Sequence, residues 1–172
     1  EAIGQFGKPE YKDFAFEAAA EAMTLLKNTN NILPLKPGIK ILVAGPSAQS
    51  KAALNGAWSY TWQGKDEKWY PESELTILQA FQQKIGRENV ITTSGIGYDD
   101  PANFEVKALR DAAQNVDAVV LCLGENAYAE SPGNIFTLDM PTEQKELIRA
   151  AKSSGKPVIV VLNQGRPLFI TD

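Results

Sequence analysis

The sequence predicts an α/β fold: a three-layer sandwich in which helices cover both faces of a mainly parallel β-sheet. Two observations lead to this prediction. Short apolar runs rich in Val, Ile and Leu, typical of strands buried on both faces, alternate along the chain with longer segments of helical periodicity. Each apolar run ends at Gly, Pro or a polar cluster, as expected where a strand leaves a sheet. Strands that alternate with helices are joined by right-handed crossovers and therefore run parallel.

The first half of the chain supplies two predicted helices and one clear strand. Apolar residues at helical spacing predict a helix over 11–27, and a run of polar residues after it ends that helix. A strand is predicted over 39–44 and is closed by Gly45-Pro46. Residues 47–71 have no regular pattern, and Ser73 is the predicted N-cap of a helix that Gly86 stops.

The second half repeats the alternation. Strands are predicted over 89–93, 117–123 and 157–162, and helices over 102–115 and from Pro141 to Ser153. Residues 94–97 form the predicted exit loop of the second strand. Because the chain ends shortly after a strand, we expect the sandwich to be truncated at its C-terminus.

Composition excludes several classes of function. The chain has 172 residues, enough for one domain, with 44% hydrophobic and 22% charged residues. The net charge of −4 and the lack of a basic run argue against nucleic-acid binding. No apolar run approaches the roughly 18 residues of a membrane span. The chain has no histidine, which closes Ser-His, Cys-His and most zinc chemistry. We expect neither a metal nor a cofactor. Its single cysteine, Cys122, is predicted to be a buried apolar residue.

The loop after the third strand carries two carboxylates, Glu125 and Glu130, with Tyr128 between them. In open α/β sheets, ligands bind at the carboxyl ends of the strands, where this loop begins. Paired carboxylates are also what glycosidic bond cleavage requires, one to protonate the leaving oxygen and another to attack or activate water. The alternative is that both are solvated acids in a surface loop.

The irregular stretch after the first strand carries Trp58 and Trp62 between glycines. A flat indole can pack against the apolar face of a sugar, and Asn55 and Gln63 could bond its hydroxyls. The alternative is that the rings only cap the sheet. A dinucleotide site is disfavoured because Gly45 is not followed by the further glycines of that fingerprint, and Pro46 lacks a backbone donor.

Five motifs, in order, closely resemble the second domain of family 3 glycoside hydrolases, and they extend over the chain from about Phe14 onward. These motifs are Leu25-Leu26-Lys27-Asn28 with Leu33-Pro34-Leu35, Trp58…Trp62-Gln63-Gly64, Gly124-Glu125-x-x-Tyr128-x-Glu130-x-x-Gly133, Leu138-x-x-Pro141-x-x-Gln144-x-x-Leu147 and Gly165-Arg166-Pro167-Leu168.

The resemblance implies a retaining exo-β-glycosidase, of the β-glucosidase kind, that acts on a β-linked glucoside or oligosaccharide. Enzymes of this family resemble a (β/α)8 barrel followed by an α/β sandwich, with the active site between them. Matching positions makes Glu130 the catalytic acid/base and Glu125 a supporting carboxylate. Trp58 and Trp62 match aromatic residues on the aglycone side of the site. The family's Asp after the loop glycine is Asn134 here, which removes that carboxylate.

The resemblance also implies a domain organisation. Residues 1–10 would be a linker from a missing N-terminal barrel that carries the nucleophile, and 11–172 would be the sandwich. Gln63 and Tyr128 are further expected substrate contacts, and the isolated chain is expected to be inactive. A full-length protein of this kind would be periplasmic or secreted. The rival hypothesis is a non-catalytic sugar-binding or interaction module.

Overall fold

A computed structural model describes residues 2–93, 97–98 and 106–170. The chain divides into two compact units, Glu1–Leu35 and Lys36–Asp172. The first unit contains helix α1 (Pro9–Ala22) between two 3₁₀ turns, Ala2–Gln5 and Thr29–Asn31. Pro9 opens α1, as suits a residue without a backbone donor. The predicted end at residue 27 is wrong, because the backbone becomes extended at Met23.

In its described residues, the second unit contains a four-stranded sheet in which all strands are parallel. Its strands are β1 (Ile41–Ala44), β2 (Val90–Thr92), β3 (Ala118–Gly124) and β4 (Val158–Asn163), in the order β2-β1-β3-β4. All four predicted strands are therefore present, with ends shifted by one or two residues. The α/β class and the parallel sheet are confirmed.

The core lies on both faces of the two central strands. Every residue of β1 and β3 is buried. Since successive strand residues point to opposite faces, Val119, Leu121 and Leu123 share one face and pack with residues from α4 and α5. Val120 and Cys122 point to the other face and are also fully buried, as predicted for the cysteine. The edge strand β4 is only partly buried.

The helices of the second unit are α2 (Lys51–Asn55), α3 (Ile77–Ile85), α4 (Val106–Ala113) and α5 (Thr142–Ser153). The prediction that Ser73 caps α3 is wrong. Thr76 is the N-cap, and it forms a reciprocal capping box with Gln79. Three residues after Ser73 stands a threonine, which cannot complete such a box, whereas Gln79 can.

Two other predicted segments differ from the structure, and two more extend beyond the described residues. Pro141 is the N-cap of α5 instead of its first helical residue. Residues 102–105 of the third predicted helix and 94–96 of the predicted exit loop lie outside the described residues. Helix α2 lies within a stretch predicted to be irregular. Its N-terminus is held by Glu67, whose carboxylate accepts hydrogen bonds from the backbone of Lys51 and Ala52, both at 3.1 Å.

The strand order places a switch point between β1 and β3. From β1 the chain crosses to β2 on one side and then to β3 on the other, which opens a crevice at the carboxyl ends of these two strands. At that end the backbones come close. A Cβ on Gly45 would lie 2.3 Å from the carbonyl oxygen of Cys122. None of the described helices is both long and apolar enough to cross a bilayer.

Candidate functional site

Two loops leave the sheet at the switch point. We call residues 56–64, which follow β1 and α2, the aromatic loop, and residues 125–134, which follow β3, the carboxylate loop. Both belong to the second unit of the chain. Except for Asn55, which ends α2, the predicted site residues lie on these two loops, which is the arrangement expected from their positions after the strands.

The carboxylate loop begins at Gly124, where the chain is tightly fixed. Gly124 has a φ of +133°, and a Cβ there would lie 1.9 Å from the carbonyl oxygen of Asn163, so only glycine fits. The buried amide of Gln144 accepts a hydrogen bond from the Gly124 N–H at 2.9 Å and donates to the Gly124 carbonyl at 2.8 Å. The backbone at the start of the loop is therefore fixed, by the steric limit at Gly124 and by the two hydrogen bonds with Gln144.

Glu125 is held by Arg166 from the exit loop of β4. Its carboxylate accepts hydrogen bonds from Arg166 Nε at 2.8 Å, from the Arg166 backbone N–H at 3.1 Å and from the guanidinium Nη2. The Glu125 side chain is only 12% exposed. The hydrogen bond to Glu125 is the main reason that the pKa of Arg166 is raised. Glu125 therefore acts as an anchor between two exit loops, and a contact with substrate stays a prediction.

Tyr128 packs inside the carboxylate loop. The guanidinium carbon of Arg166 lies 3.9 Å from the centroid of its ring. A Cβ on Gly133 would lie 2.5 Å from the ring, and one on Gly165 would lie 2.6 Å from the hydroxyl oxygen. Arg166 Nη1 also donates to the Gly133 carbonyl at 2.6 Å, which closes the loop. Tyr128 thus supports the loop from within, and its role in binding substrate stays a prediction.

Glu130 differs from Glu125 in its exposure, in its partners and in its backbone conformation. It is exposed, and its carboxylate has no hydrogen-bond or ion-pair partner among the residues that the structure describes. Its backbone has φ +53° and ψ −147°, a conformation that favours glycine. A non-glycine residue persists in such a conformation when its surroundings hold it there, and these positions cluster at functional sites. Asn134 is exposed nearby in the loop.

The aromatic loop presents both tryptophans to the outside. Trp58 is 69% exposed and Trp62 is 47% exposed, so neither ring is buried. A backbone hydrogen bond from Trp58 N–H to the Trp62 carbonyl, at 3.1 Å, ties the loop together. Trp58 also has a positive φ, of +58°. Binding of a sugar to these rings stays a prediction.

The two loops are joined by one side chain, Gln63. Its Nε2 donates to the Ala129 carbonyl at 3.0 Å, and its Oε1 accepts from the Ala129 N–H at 3.2 Å. A direct contact between Gln63 and a sugar stays a prediction. Asn55, the other expected hydroxyl-binding amide, donates to the Lys51 carbonyl at 3.0 Å and to Glu74 Oε2 at 3.2 Å, so it terminates α2.

Two clefts flank the carboxylate loop. One, of about 270 Å³, is lined by Glu125, Tyr128 and Arg166, and the other, of about 360 Å³, is lined by Glu125, Tyr128 and Asn163 among others. Within the described part of the chain, neither cleft is lined by Glu130, Trp58 or Trp62. These three side chains stand on an open surface. No group of three His, Cys, Asp or Glu side chains that could hold a metal ion occurs among the described residues.

The sequence interpretation missed the roles of Arg166 and Gln144. Arg166 stands in a polar loop directly after the strand that follows β3 along the chain, and the structure pairs that strand with β3. Gln144 gave no such signal, because a glutamine in the first turn of an amphipathic helix is normally a surface residue.

Residues 23–172 match the sequence profile of the glycosyl hydrolase family 3 C-terminal domain. The chain is also similar to proteins named lysosomal beta glucosidase from Dictyostelium discoideum, with 35% identity, beta-xylosidase from Formosa agariphila, with 35%, and periplasmic beta-glucosidase from Salmonella typhimurium, with 30%. These alignments cover 98%, 95% and 91% of this chain, but only 21%, 23% and 22% of the relatives. The chain thus spans about a fifth of the length of these relatives.

The chain is also similar in structure to domains of solved glycosidases. The exo-1,3/1,4-beta-glucanase from a Pseudoalteromonas species is similar with a TM-score of 0.75 and 29% identity, over 95% of this chain and 20% of that one. A beta-glucosidase from Listeria innocua, crystallised with gluconolactone, is similar with a TM-score of 0.75 and 28% identity, over 98% of this chain and 22% of that one. The similarity therefore extends over the fold as well as the sequence.

Proposed function

Because the chain belongs to glycoside hydrolase family 3, as its C-terminal domain, we propose that it supplies the acid/base carboxylate of a retaining exo-β-glycosidase, and that Glu130 is this residue. The observation that carries the proposal is the contrast within the carboxylate loop. Glu125 is bound on both carboxylate oxygens by Arg166, whereas Glu130 is exposed and has no partner among the described residues. A proton-transfer group must be able to reach substrate, and Glu130 meets that condition.

The proposed reaction has two steps that share this carboxyl group. In the first, Glu130 donates its proton to the glycosidic oxygen as the bond to the sugar breaks, while a second carboxylate forms a covalent bond to the anomeric carbon. In the second, the Glu130 carboxylate removes a proton from water as the water attacks the glycosyl-enzyme. Retention requires the two carboxyl groups to be about 5–5.5 Å apart.

The second carboxylate is proposed to lie on an N-terminal barrel domain, with residues 1–10 as the connecting linker and 11–172 as the sandwich. The open surface around Glu130, Trp58 and Trp62 supports this arrangement, because a substrate there needs a second wall. One acid cannot supply both roles, so the chain alone is expected to be inactive.

The proposed substrate is a β-linked glucoside or short oligosaccharide. Trp58 and Trp62 would pack against the apolar face of the departing sugar, since large exposed indoles offer area to a sugar ring. Two of these relatives are named as glucosidases and one as a xylosidase, which supports a β-glycosidase in general and a β-glucosidase in particular. The periplasmic relative supports a periplasmic or secreted location.

The test is Glu130→Gln in the complete enzyme that carries this chain, compared with Glu125→Gln and with Glu72→Gln, a control at an exposed position. For cellobiose, whose leaving group needs protonation, kcat/KM should fall about 10²- to 10⁴-fold in Glu130→Gln. For 2,4-dinitrophenyl β-glucoside, kcat/KM should change little, while kcat falls because the glycosyl-enzyme accumulates. Azide should restore kcat and give the β-glucosyl azide.

Glu125→Gln should lower activity without azide rescue, and Glu72→Gln should match the wild type. Azide rescue of Glu125→Gln and not of Glu130→Gln would reverse the two assignments. An unchanged kcat/KM for cellobiose in Glu130→Gln would favour the other candidate, a sugar-binding module without catalysis, for which the exposed tryptophans are the supporting observation.

A further inference from the structure

The amide of Gln63 forms a paired contact with the residue that precedes Glu130. Both polar atoms of the amide are used, one as donor and one as acceptor, and both bind the backbone of Ala129. A side-chain amide that pairs in this way with one residue fixes the orientation of two peptide groups at once. One of these is the peptide that links Ala129 to Glu130.

The aromatic loop, which carries Gln63, is held in place by close backbone packing and by hydrogen bonds. Gly64, the next residue, is buried and has φ +69°, and a Cβ there would lie 2.2 Å from the Gly56 carbonyl oxygen. The Tyr70 hydroxyl donates to the Gly64 carbonyl at 2.7 Å and lies 2.8 Å from the Ser59 hydroxyl. Both ends of the aromatic loop are thus fixed to each other.

The side of the contact that carries Glu130 depends on such support. Ala129 is 6% exposed, so its backbone polar groups need partners within the protein. Glu130 itself holds a positive φ that is costly for a residue with a side chain. The bonds from Gln63 to Ala129 act directly before this position, where they can compensate for that cost.

We propose that Gln63 is a positioning residue for Glu130: it holds the peptide before the acid/base and couples its orientation to the aromatic loop that carries Trp58 and Trp62. The inference rests on the proposed role of Glu130. It assigns Gln63 to the support of the carboxylate loop instead of to a sugar hydroxyl. Misplacement of a catalytic group by about 1 Å can lower a rate about 10²-fold, so loss of this support has a kinetic effect.

The chemical step that suffers is proton transfer. A displaced Glu130 donates poorly to a leaving oxygen, and this matters in proportion to how much the leaving group needs the proton. A loss of folded enzyme, in contrast, lowers the rate for every substrate by the same factor. The ratio of kcat/KM between a poor and a good leaving group therefore reports positioning and is unaffected by stability.

The test variant is Gln63→Glu in the complete enzyme, with Gln83→Glu as the matched control at an exposed position of α3. The Gln63→Glu carboxylate keeps the size of the side chain and can still accept from the Ala129 N–H, but it faces the Ala129 carbonyl oxygen without a donor. Gln63→Ala serves as a second variant without the added charge. Substrates are a series of aryl β-glucosides with leaving groups of increasing pKa, together with cellobiose.

We expect kcat/KM for cellobiose to fall about tenfold to a hundredfold in both Gln63 variants, with a change of less than about threefold for the dinitrophenyl glucoside. A plot of log kcat/KM against leaving-group pKa should become steeper, in the direction that Glu130→Gln gives. Gln83→Glu should leave the slope unchanged.

Two results would overturn the inference while leaving the role of Glu130 intact. One is an equal fall of kcat/KM for all substrates in the Gln63 variants, and the other is no fall at all, each with the steep slope still present in Glu130→Gln. A flat slope in Glu130→Gln itself would instead refute the proposed acid/base, and the positioning role with it.

Discussion

Within one loop, Glu125 and Glu130 show what distinguishes a carboxylate that holds structure from one that is available for chemistry. Glu125 is 12% exposed, receives three hydrogen bonds from Arg166 and stands directly after a glycine that permits one backbone path. Glu130 is exposed, without a partner among the described residues, and its backbone is strained. The first half of the loop is therefore fixed by Glu125 and its partners, and the second half carries Glu130, whose carboxylate is accessible.

The largest expected effect is at the base of the fixed half. Gly124→Ala should destabilise the domain by more than about 3 kcal/mol, because the new Cβ would overlap the Asn163 carbonyl oxygen, 1.9 Å away, at a positive φ. Gly155→Ala is the matched control, since Gly155 also has a positive φ, +73°, but a Cβ there would meet no atom within 4 Å. Gly155→Ala should lower the free energy of unfolding by only about 1 kcal/mol. Urea unfolding of the two variants measures the difference, and equal costs would contradict the steric argument.

A smaller but still large effect is expected for the ion pair. Arg166→Gln should lower the free energy of unfolding by about 3 kcal/mol, because it leaves the largely buried Glu125 carboxylate without its charged partner. Glu130→Gln should change it by less than about 0.5 kcal/mol, as for other exposed positions. The urea midpoints at constant m-value test the comparison. Similar losses in both variants would mean that Glu130 also serves the structure.

The sequence predicts those features of the two carboxylates that leave a pattern in neighbouring residues, and it does not predict contacts between distant segments. The central strands were predicted because strands buried on both faces are continuous apolar runs, as in β1 and β3. The two carboxylates were found because they follow such a run. The pairing of Glu125 with Arg166 was missed, because it depends on β4 lying next to β3, which no local pattern specifies.

The same reason explains the missed helix α2. Its N-terminus is held by Glu67, which lies 15 and 16 residues from the two N–H groups it binds, while its five residues are too few to show a period. The bidentate contact of Gln63 with Ala129 likewise joins two loops that only the sheet brings together. Long-range contacts of single side chains thus account for most of what sequence reasoning did not reach.

The last expected effect is absent at neutral pH and concerns two groups that titrate at alkaline pH, the buried thiol of Cys122 and the partly buried hydroxyl of Tyr98, which lies 2.6 Å from the Ser47 hydroxyl. Burial raises the pKa of Cys122 from 9.0 to about 12, and burial raises the pKa of Tyr98 from 10.0 to about 12. The folded protein therefore holds both protons more tightly than the unfolded chain does. Their contribution to stability is complete below about pH 9 and should be lost progressively as the pH rises toward 12.

Unfolding midpoints between pH 8 and 11 measure this loss, and the rate of Cys122 labelling by a thiol reagent should stay low until the domain unfolds. Cys122→Ser is not a suitable control, because it buries a new polar group. Cys122→Ala removes the thiol and should reduce the slope of stability against pH above 9. A slope that stays the same in Cys122→Ala would show that this thiol is not the group that titrates.

The backbone at Glu130 has a consequence for directed evolution. Its dihedral angles suit glycine, and relieving such a conformation is worth about 1–3 kcal/mol. A library screened only for heat resistance would therefore tend to select Glu130→Gly, which gains stability and discards the carboxyl group. Selection at this position must score turnover together with survival, because here the residue that folds best is not the one that reacts.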